Sequence, residues 1–221
     1  MLSPPLLILF LLNVLSAIVA LIISYYAFRF NRLVDSNVLR AISIGFMLLG
    51  ISLSTEALTS VIAGQTIVEA FIAPRILQAD EGVLFLVMQI AAYLTFAWGY
   101  TTGAFGKQKS SLVQSSAVLL LAAAARPLTT YYDATVFFYL ATVVLLAFVV
   151  FQGILIYARS KNRSPLLVLL GFGLILLGHV FMLDAVVALA PSPFYEGTAI
   201  QFVGFLSLLW FLVRSGRIGP T

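Results

Sequence analysis

The stretch Leu6–Phe28 reads LLILFLLNVLSAIVALIISYYAF and contains no charged residue. A helix rises about 1.5 Å per residue, so about 20 residues of this kind cross the hydrocarbon core of a bilayer. The run is continuously apolar rather than alternating, which favours a helix over a strand. Because further apolar runs follow it, we interpret the stretch as a retained first transmembrane helix and not as a cleaved signal peptide.

The composition of the whole chain also indicates a lipid environment. Of the 221 residues, 62% are hydrophobic and 9% are charged, whereas soluble domains carry about 25% charged residues. The mean hydropathy is +1.11. Cysteine is absent, which excludes disulfides, thiolate metal sites and cysteine nucleophiles. The sequence therefore predicts a multi-pass protein of the cell membrane, surrounded by the lipid bilayer.

Seven apolar runs along the chain predict an all-α membrane protein with seven transmembrane helices. They are Leu6–Phe28, Ala41–Ala63, Val83–Thr101, Leu112–Ala125, Ala134–Tyr157, Leu166–Ala190 and Thr198–Val213. The fourth run is the shortest of the seven, and a span needs about 20 residues.

The charged residues separate to the two sides of these predicted spans. Ten of the 12 basic residues fall on one side: Arg29, Arg32, Arg40, Lys107, Lys109, Arg159, Lys161, Arg163, Arg214 and Arg217. Seven of the eight acidic residues fall on the other side. The positive-inside rule then predicts the N-terminus outside and the C-terminus in the cytoplasm. Because the net charge of +4 lies beside the membrane, we expect no nucleic acid as a partner.

Two segments of the chain repeat the same pattern at the same spacing. Gly45–Gly50 reads GFMLLG and is followed by Glu56, while Gly173–Gly178 reads GLILLG and is followed by Asp184. The segment after each also corresponds, with Gln89 matching Gln201 and Trp98 matching Trp210.

We interpret this pattern as an internal duplication. Residues 1–105 form a first three-helix repeat, residues 106–130 a linker helix, and residues 131–221 a second repeat. Three spans turn the chain over, and one additional span restores its direction. The 3+1+3 layout therefore predicts parallel copies related by a pseudo-two-fold axis along the membrane normal.

Four polar residues in the predicted spans are the main candidates for function. Glu56 and Asp184 are expected roughly 10 Å inside the outer ends of their helices, where a charge is costly and usually faces the interior or a water-filled cavity. Gln89 and Gln201 are expected at similar depth. One interpretation is an outward vestibule for a cation, a proton or a polar solute. The other, which we favour, is a pair of buried interhelical hydrogen bonds.

His179 is the only histidine in the chain and is expected near the membrane midplane. The matching residue of the first repeat is Ile51, so the histidine breaks the duplication. A haem or copper ligand is conceivable at this position, but an interhelical hydrogen bond is the favoured role. We expect no metal site, no cofactor and no enzymatic activity, because the sequence contains no phosphate loop, HExxH or GxSxG motif.

Small and polar residues of the remaining span positions suggest helix packing. Glycines of the second and sixth spans predict close helix approach, and they are Gly45, Gly50, Gly171, Gly173 and Gly178. Isolated polar residues such as Asn13 and Gln152 are expected to face the interior of the bundle.

The layout of the spans resembles two known groups of membrane proteins. It is similar to the microbial rhodopsins, but all three lysines of this chain lie in predicted loops, which excludes a covalent retinal in the last span. It is also similar to the SWEET and PQ-loop transporters, whose proline–glutamine motif is absent here. The segment Tyr25–Glu56, with its basic loop and Gly-x-x-Leu-Leu-Gly motif, looks like small three-span archaeal membrane proteins that have no assigned activity.

Three functions remain open from the sequence. The favoured one is a non-catalytic membrane module, a subunit or sensor that associates with other subunits or with itself, because no proline interrupts a predicted span and the loops are short. The second is a transporter or channel for a small solute, an ion or a proton, with its vestibule at Glu56 and Asp184. The third is a redox subunit that carries a cofactor on His179.

Overall fold

The structure, a computed structural model, describes residues 4–63, 79–105, 131–160 and 163–217 of the chain. These residues form six helices: α1 (Pro4–Val34), α2 (Asn37–Ala63), α3 (Ala79–Phe105), α4 (Tyr131–Ser160), α5 (Arg163–Ala188) and α6 (Pro191–Arg217). Within the described ranges, five of the helices, all except α3, are long and apolar enough to cross a membrane. The chain is a multi-pass membrane protein.

The prediction of seven transmembrane helices in a 3+1+3 layout is wrong, because the described residues form six helices. The predicted span that has no counterpart among the described helices is the fourth, Leu112–Ala125. It has only 14 residues and contains Gln114, Ser115 and Ser116, so it was shorter and more polar than the run of about 20 apolar residues that a span requires. This run and the whole predicted linker 106–130 lie outside the described residues.

The six helices form a ring in which each packs on its neighbours in chain order and α6 closes on α1. One buried cluster joins Leu9, Phe85, Tyr139 and Phe194 near the beginnings of α1, α3, α4 and α6 with Met182 near the end of α5. Helices α3 and α4 therefore run in the same direction.

Charged side chains distinguish the two ends of this ring. We call the end with Glu56, Asp184 and Glu196 the acidic end, and the opposite one the basic end. The basic end carries the exposed arginines Arg29, Arg32, Arg40 and Arg214. The N-terminal helix begins at the acidic end and α6 ends at the basic end.

Two tight turns connect antiparallel neighbours, one at each end of the bundle. Asp35 has a φ of 46° between α1 and α2, and Leu189 has a φ of 54° between α5 and α6. The exposed Asp35 also accepts a hydrogen bond at 2.9 Å from the Arg40 guanidinium. The backbone N–H of Ala190 donates to the carbonyl of Ala185, which satisfies a carbonyl at the end of α5.

Hydrogen bonds and glycines hold neighbouring helices together. The Ser24 and Ser43 hydroxyls each donate to the other's backbone carbonyl, at 2.7 and 3.1 Å, which joins α1 to α2. Helices α5 and α6 approach closely where Gly178 faces Gly197, because a Cβ on Gly178 would lie 2.6 Å from the Gly197 carbonyl oxygen. Gly173, by contrast, faces open space, so the expected close approach is not made at that glycine.

Candidate functional site

A polar cluster lies inside the ring toward the acidic end and consists of Gln89, Tyr93, His179 and Gln201. Its central pair is Tyr93 of α3 with His179 of α5. Both side chains are fully buried. The Tyr93 hydroxyl oxygen lies 3.2 Å from Nε2 of His179, and the two rings meet edge to face with centroids 5.3 Å apart. This contact links a helix of residues 1–105 to a helix of residues 131–221.

The hydrogen bonds of His179 determine which of its nitrogens carries the proton. Nδ1 lies 2.9 Å from the backbone carbonyl oxygen of Ile175, which can only accept, so Nδ1 holds the proton and donates it. Nε2 of the neutral ring is then an acceptor, and the Tyr93 hydroxyl donates to it. The Gln89 Nε2 amide is a second donor, 3.1 Å from the same nitrogen.

Two buried amides surround this pair. Gln89 of α3 and Gln201 of α6 are 3% and 2% exposed, and both amides lie beside the Tyr93 hydroxyl. Gln89 Oε1 and Gln201 Nε2 are buried and have no hydrogen-bond partner among the described residues. The polar cluster therefore contains one unused acceptor and one unused donor, contributed by two different helices.

Glu56 of α2 borders the polar cluster near the acidic end. The side chain is 7% exposed, and it lies beside the Asn13 side chain of α1, although Asn13 Nδ2 is outside hydrogen-bond geometry. Glu56 is also close enough to Tyr93 to act on it electrostatically. Of the four predicted vestibule residues, Gln89 and Gln201 thus lie beside the Tyr93 hydroxyl, and Glu56 lies within electrostatic reach of it.

Asp184, the fourth candidate, does not join them. Its side chain is exposed, and it lies four residues before the end of α5 at Ala188, roughly 6 Å along the helix. Glu56, in contrast, precedes the end of α2 at Ala63 by seven residues. The two carboxylates match in sequence but differ in depth and burial, so the expected pairing of Asp184 with Gln201 is not found.

A layer of four phenylalanines closes the bundle on the basic side of the polar cluster. The layer consists of Phe46, Phe96, Phe172 and Phe205, from α2, α3, α5 and α6, all of which are buried. Their ring centroids are 5.0 Å apart for Phe46 and Phe96 and 5.4 Å apart for Phe96 and Phe172. Phe96 is one helical turn from Tyr93, so the layer directly follows the polar cluster along the bundle axis.

The chemistry available in the polar cluster is hydrogen bonding between neutral groups, with one carboxyl at its border. Among the described residues, no three His, Cys, Asp or Glu side chains come together as metal ligands. Both ring nitrogens of His179 are engaged by protein groups, so a haem iron would have to displace a hydrogen bond to reach either one. The arrangement can hold helices in register or bind a small polar molecule.

Tyr93 was not among the residues selected from the sequence. The signal for it was present, because Tyr93 follows Gln89 by four residues and therefore shares its helix face. It also lies in the middle of a predicted span, away from the interfaces where tyrosines form an aromatic belt.

No protein-family model matches the chain, and neither a curated protein nor a solved structure matches it.

Proposed function

We propose that the protein is a non-catalytic membrane module that acts as a subunit or sensor of a larger membrane assembly. The observation that carries this proposal is the phenylalanine layer. It follows the polar cluster along the axis, so at its level four of the six described helices contribute buried aromatic rings, and the buried polar side chains nearer the basic end, such as Thr101 and Gln152, lie beyond it. A pathway for an ion or a polar solute would require polar groups or water at this level.

The geometry of the polar cluster supports the same function. Tyr93 and Gln89 on α3 contact His179 on α5, so the cluster ties the first three helices to the last three. Interhelical hydrogen bonds of this kind contribute about 0.6 kcal/mol on average and fix which helices pair. The proposed partners are other membrane subunits or further copies of the chain, in the cell membrane.

The internal duplication belongs to this proposal. Its support is that α1–α3 and α4–α6 have the same sequence of directions, and that each helix has the corresponding neighbours in the ring. The different burial of Glu56 and Asp184 implies that the two copies have diverged in role. We also propose that the repeat unit is related to the small archaeal three-span membrane proteins that it resembles.

A transporter of a small polar solute or a proton is the second candidate. The convergence of Glu56, Gln89 and Gln201 around Tyr93 favours it, since the cluster contains a carboxyl and the unpaired amide atoms of Gln89 and Gln201. In that case the phenylalanine layer would have to open during transport. The third candidate, a redox subunit with a cofactor on His179, is disfavoured by the two hydrogen-bonded ring nitrogens.

Reconstitution of the purified chain into liposomes separates the first two candidates. We expect the chain alone to move neither protons nor small cations faster than empty liposomes, and to purify in mild detergent with other subunits or as an oligomer. The matched variants are Glu56→Gln, at the polar cluster, and Asp184→Asn, an exposed carboxylate on the other half. A flux that is lost in Glu56→Gln and retained in Asp184→Asn would contradict our proposal and establish the transporter.

A further inference from the structure

An apolar chamber lies inside the bundle on the basic side of the phenylalanine layer. Its volume is about 320 Å³, and it is lined by residues from five of the six helices, including Val38, Gly153 and Phe211. Tyr100 and Phe172 line it as well, and their rings meet edge to face with centroids 5.8 Å apart. Among the residues that the structure describes, those lining the chamber are aliphatic, aromatic or glycine, so the chamber offers an occupant dispersion contacts and removal from water.

The size of the chamber indicates how much of a ligand it holds. An apolar protein cavity of about 150 Å³ accommodates the six carbons of benzene. A chamber of about 320 Å³ therefore has room for roughly a dozen carbons by the same proportion. The lining residues lie on several helices around the axis, and the chamber is only partly open.

The chamber extends toward the basic end. Val38 is the second residue of α2, and Phe211 lies near the end of α6. Arg214 follows Phe211 by three residues, one helical turn along the same face. Its side chain is exposed and has no ion pair among the described residues. Arg40 follows the lining residue Leu39 directly and is exposed as well, but its guanidinium is already paired with Asp35 at 2.9 Å.

We propose that the chamber binds one single-chain anionic amphiphile of the fatty-acid class. A hydrocarbon chain of about a dozen carbons enters the chamber, where each buried methylene contributes about 0.8 kcal/mol, and the carboxylate remains at the basic end beside Arg214. The apolar lining removes the chain from water, and Arg214 supplies the charge that selects an anionic headgroup. This site is separate from the polar cluster and does not depend on the proposed function.

Native mass spectrometry of the full chain ejected from neutral phosphatidylcholine nanodiscs tests the proposal. The probes are laurate and dodecanol, which have the same chain length and differ in charge. Val38→Phe narrows the chamber, and Val203→Phe, on the outer face of α6 where Val203 is 51% exposed, is the matched control. We expect one laurate per chain in the wild type and in Val203→Phe, and about tenfold weaker retention in Val38→Phe, as when two methylenes are kept out of the chamber.

Gly153→Leu provides a second filling variant from a different helix, in case Val38→Phe does not fold. A Cβ at Gly153 would meet Leu169 at 3.1 Å, so the added side chain occupies chamber space with only a small shift of that leucine. The proposal is overturned if laurate is not retained by the wild type, if the folded filling variants retain it as well as Val203→Phe does, or if dodecanol is retained equally well.

Discussion

At the residue scale, the unusual feature of this chain is the concentration of neutral polar side chains in an apolar bundle. A polar group without a partner in such surroundings costs several kcal/mol in the extreme case of a hydrocarbon solvent. Tyr93 and His179 avoid this cost because the Tyr93 hydroxyl and His179 Nε2 form a hydrogen bond, and His179 Nδ1 donates to the carbonyl of Ile175. Their hydrogen bonds are therefore expected to contribute measurably to stability.

Replacement of Tyr93 with phenylalanine should show that contribution. Tyr93→Phe removes the donor to His179 Nε2 and is expected to lower the free energy of unfolding by about 1 kcal/mol, a decrease in Tm of about 3 °C for a chain of this size. Thermal unfolding in mild detergent measures it.

The matched control for this change is Tyr100→Phe, two helical turns further along α3. Tyr100 is also buried, but within the described residues its hydroxyl makes no hydrogen bond. We expect its Tm to stay within about 1 °C of the wild type, since no partner is lost. Equal decreases in the two variants would mean that the Tyr93–His179 bond adds nothing.

At the scale of the elements, the helices extend beyond the apolar runs that predict them. The last predicted span begins at Thr198, whereas α6 begins at Pro191. Proline is favoured in the first turn of a helix because its missing N–H has no partner there. Hydropathy defines the part of a helix inside the hydrocarbon core, and capping and turn geometry define where the helix begins and ends.

The close packing of α5 on α6 depends on the glycine at position 178 and not on the glycine at position 173. Gly178→Ala would place a Cβ 2.6 Å from the Gly197 carbonyl oxygen, and the two backbones would have to separate. We expect a loss of about 2 kcal/mol, typical of overpacking, in the same unfolding assay.

Gly173→Ala is the control for this prediction, five residues earlier on the same helix. Its added Cβ meets nothing within 4 Å, and alanine is the better helix former by roughly 0.5–1 kcal/mol. Stability should therefore remain equal to the wild type or rise. If Gly178→Ala were as stable as Gly173→Ala, the backbones of α5 and α6 could not be as close as described.

At the scale of the whole molecule, the direction of the helices has a consequence for membrane topology. The α1–α2 turn lies at the basic end and the α5–α6 turn at the acidic end, so the two turns must face opposite sides of the membrane. The absence of cysteine makes this testable by single-cysteine labelling.

Asp35→Cys and Leu189→Cys place one thiol in each exposed turn. A membrane-impermeant maleimide applied to sealed, oriented vesicles should label one variant before lysis and the other only after lysis. Modification is read as a mass shift of the chain. Labelling of both variants from the same side would contradict the opposite directions of α1 and α5 in this bundle.

The sequence by itself determined that the chain is a helical, multi-pass membrane protein, because apolar runs such as Leu6–Phe28 and the scarcity of charge are local properties that require no knowledge of contacts. It also selected Glu56, Gln89 and Gln201 as buried polar residues, since polar groups in apolar runs are conspicuous. Its count of seven transmembrane helices is contradicted by the six helices of the described residues, and the short predicted span Leu112–Ala125 lies outside them. Hydropathy also cannot tell an interior face from an interface.

Which of these residues meet depends on how the helices pack against one another. Asp184 matches Glu56 in the repeated pattern, but it lies one turn from its helix end and on an exposed face, so it is separate from the polar cluster. Tyr93 and His179, the phenylalanine layer and the apolar chamber are each assembled from different helices. Their contacts depend on the rotation and depth of every helix in the ring, and these are set by packing between helices, which the hydropathy of a single segment does not contain.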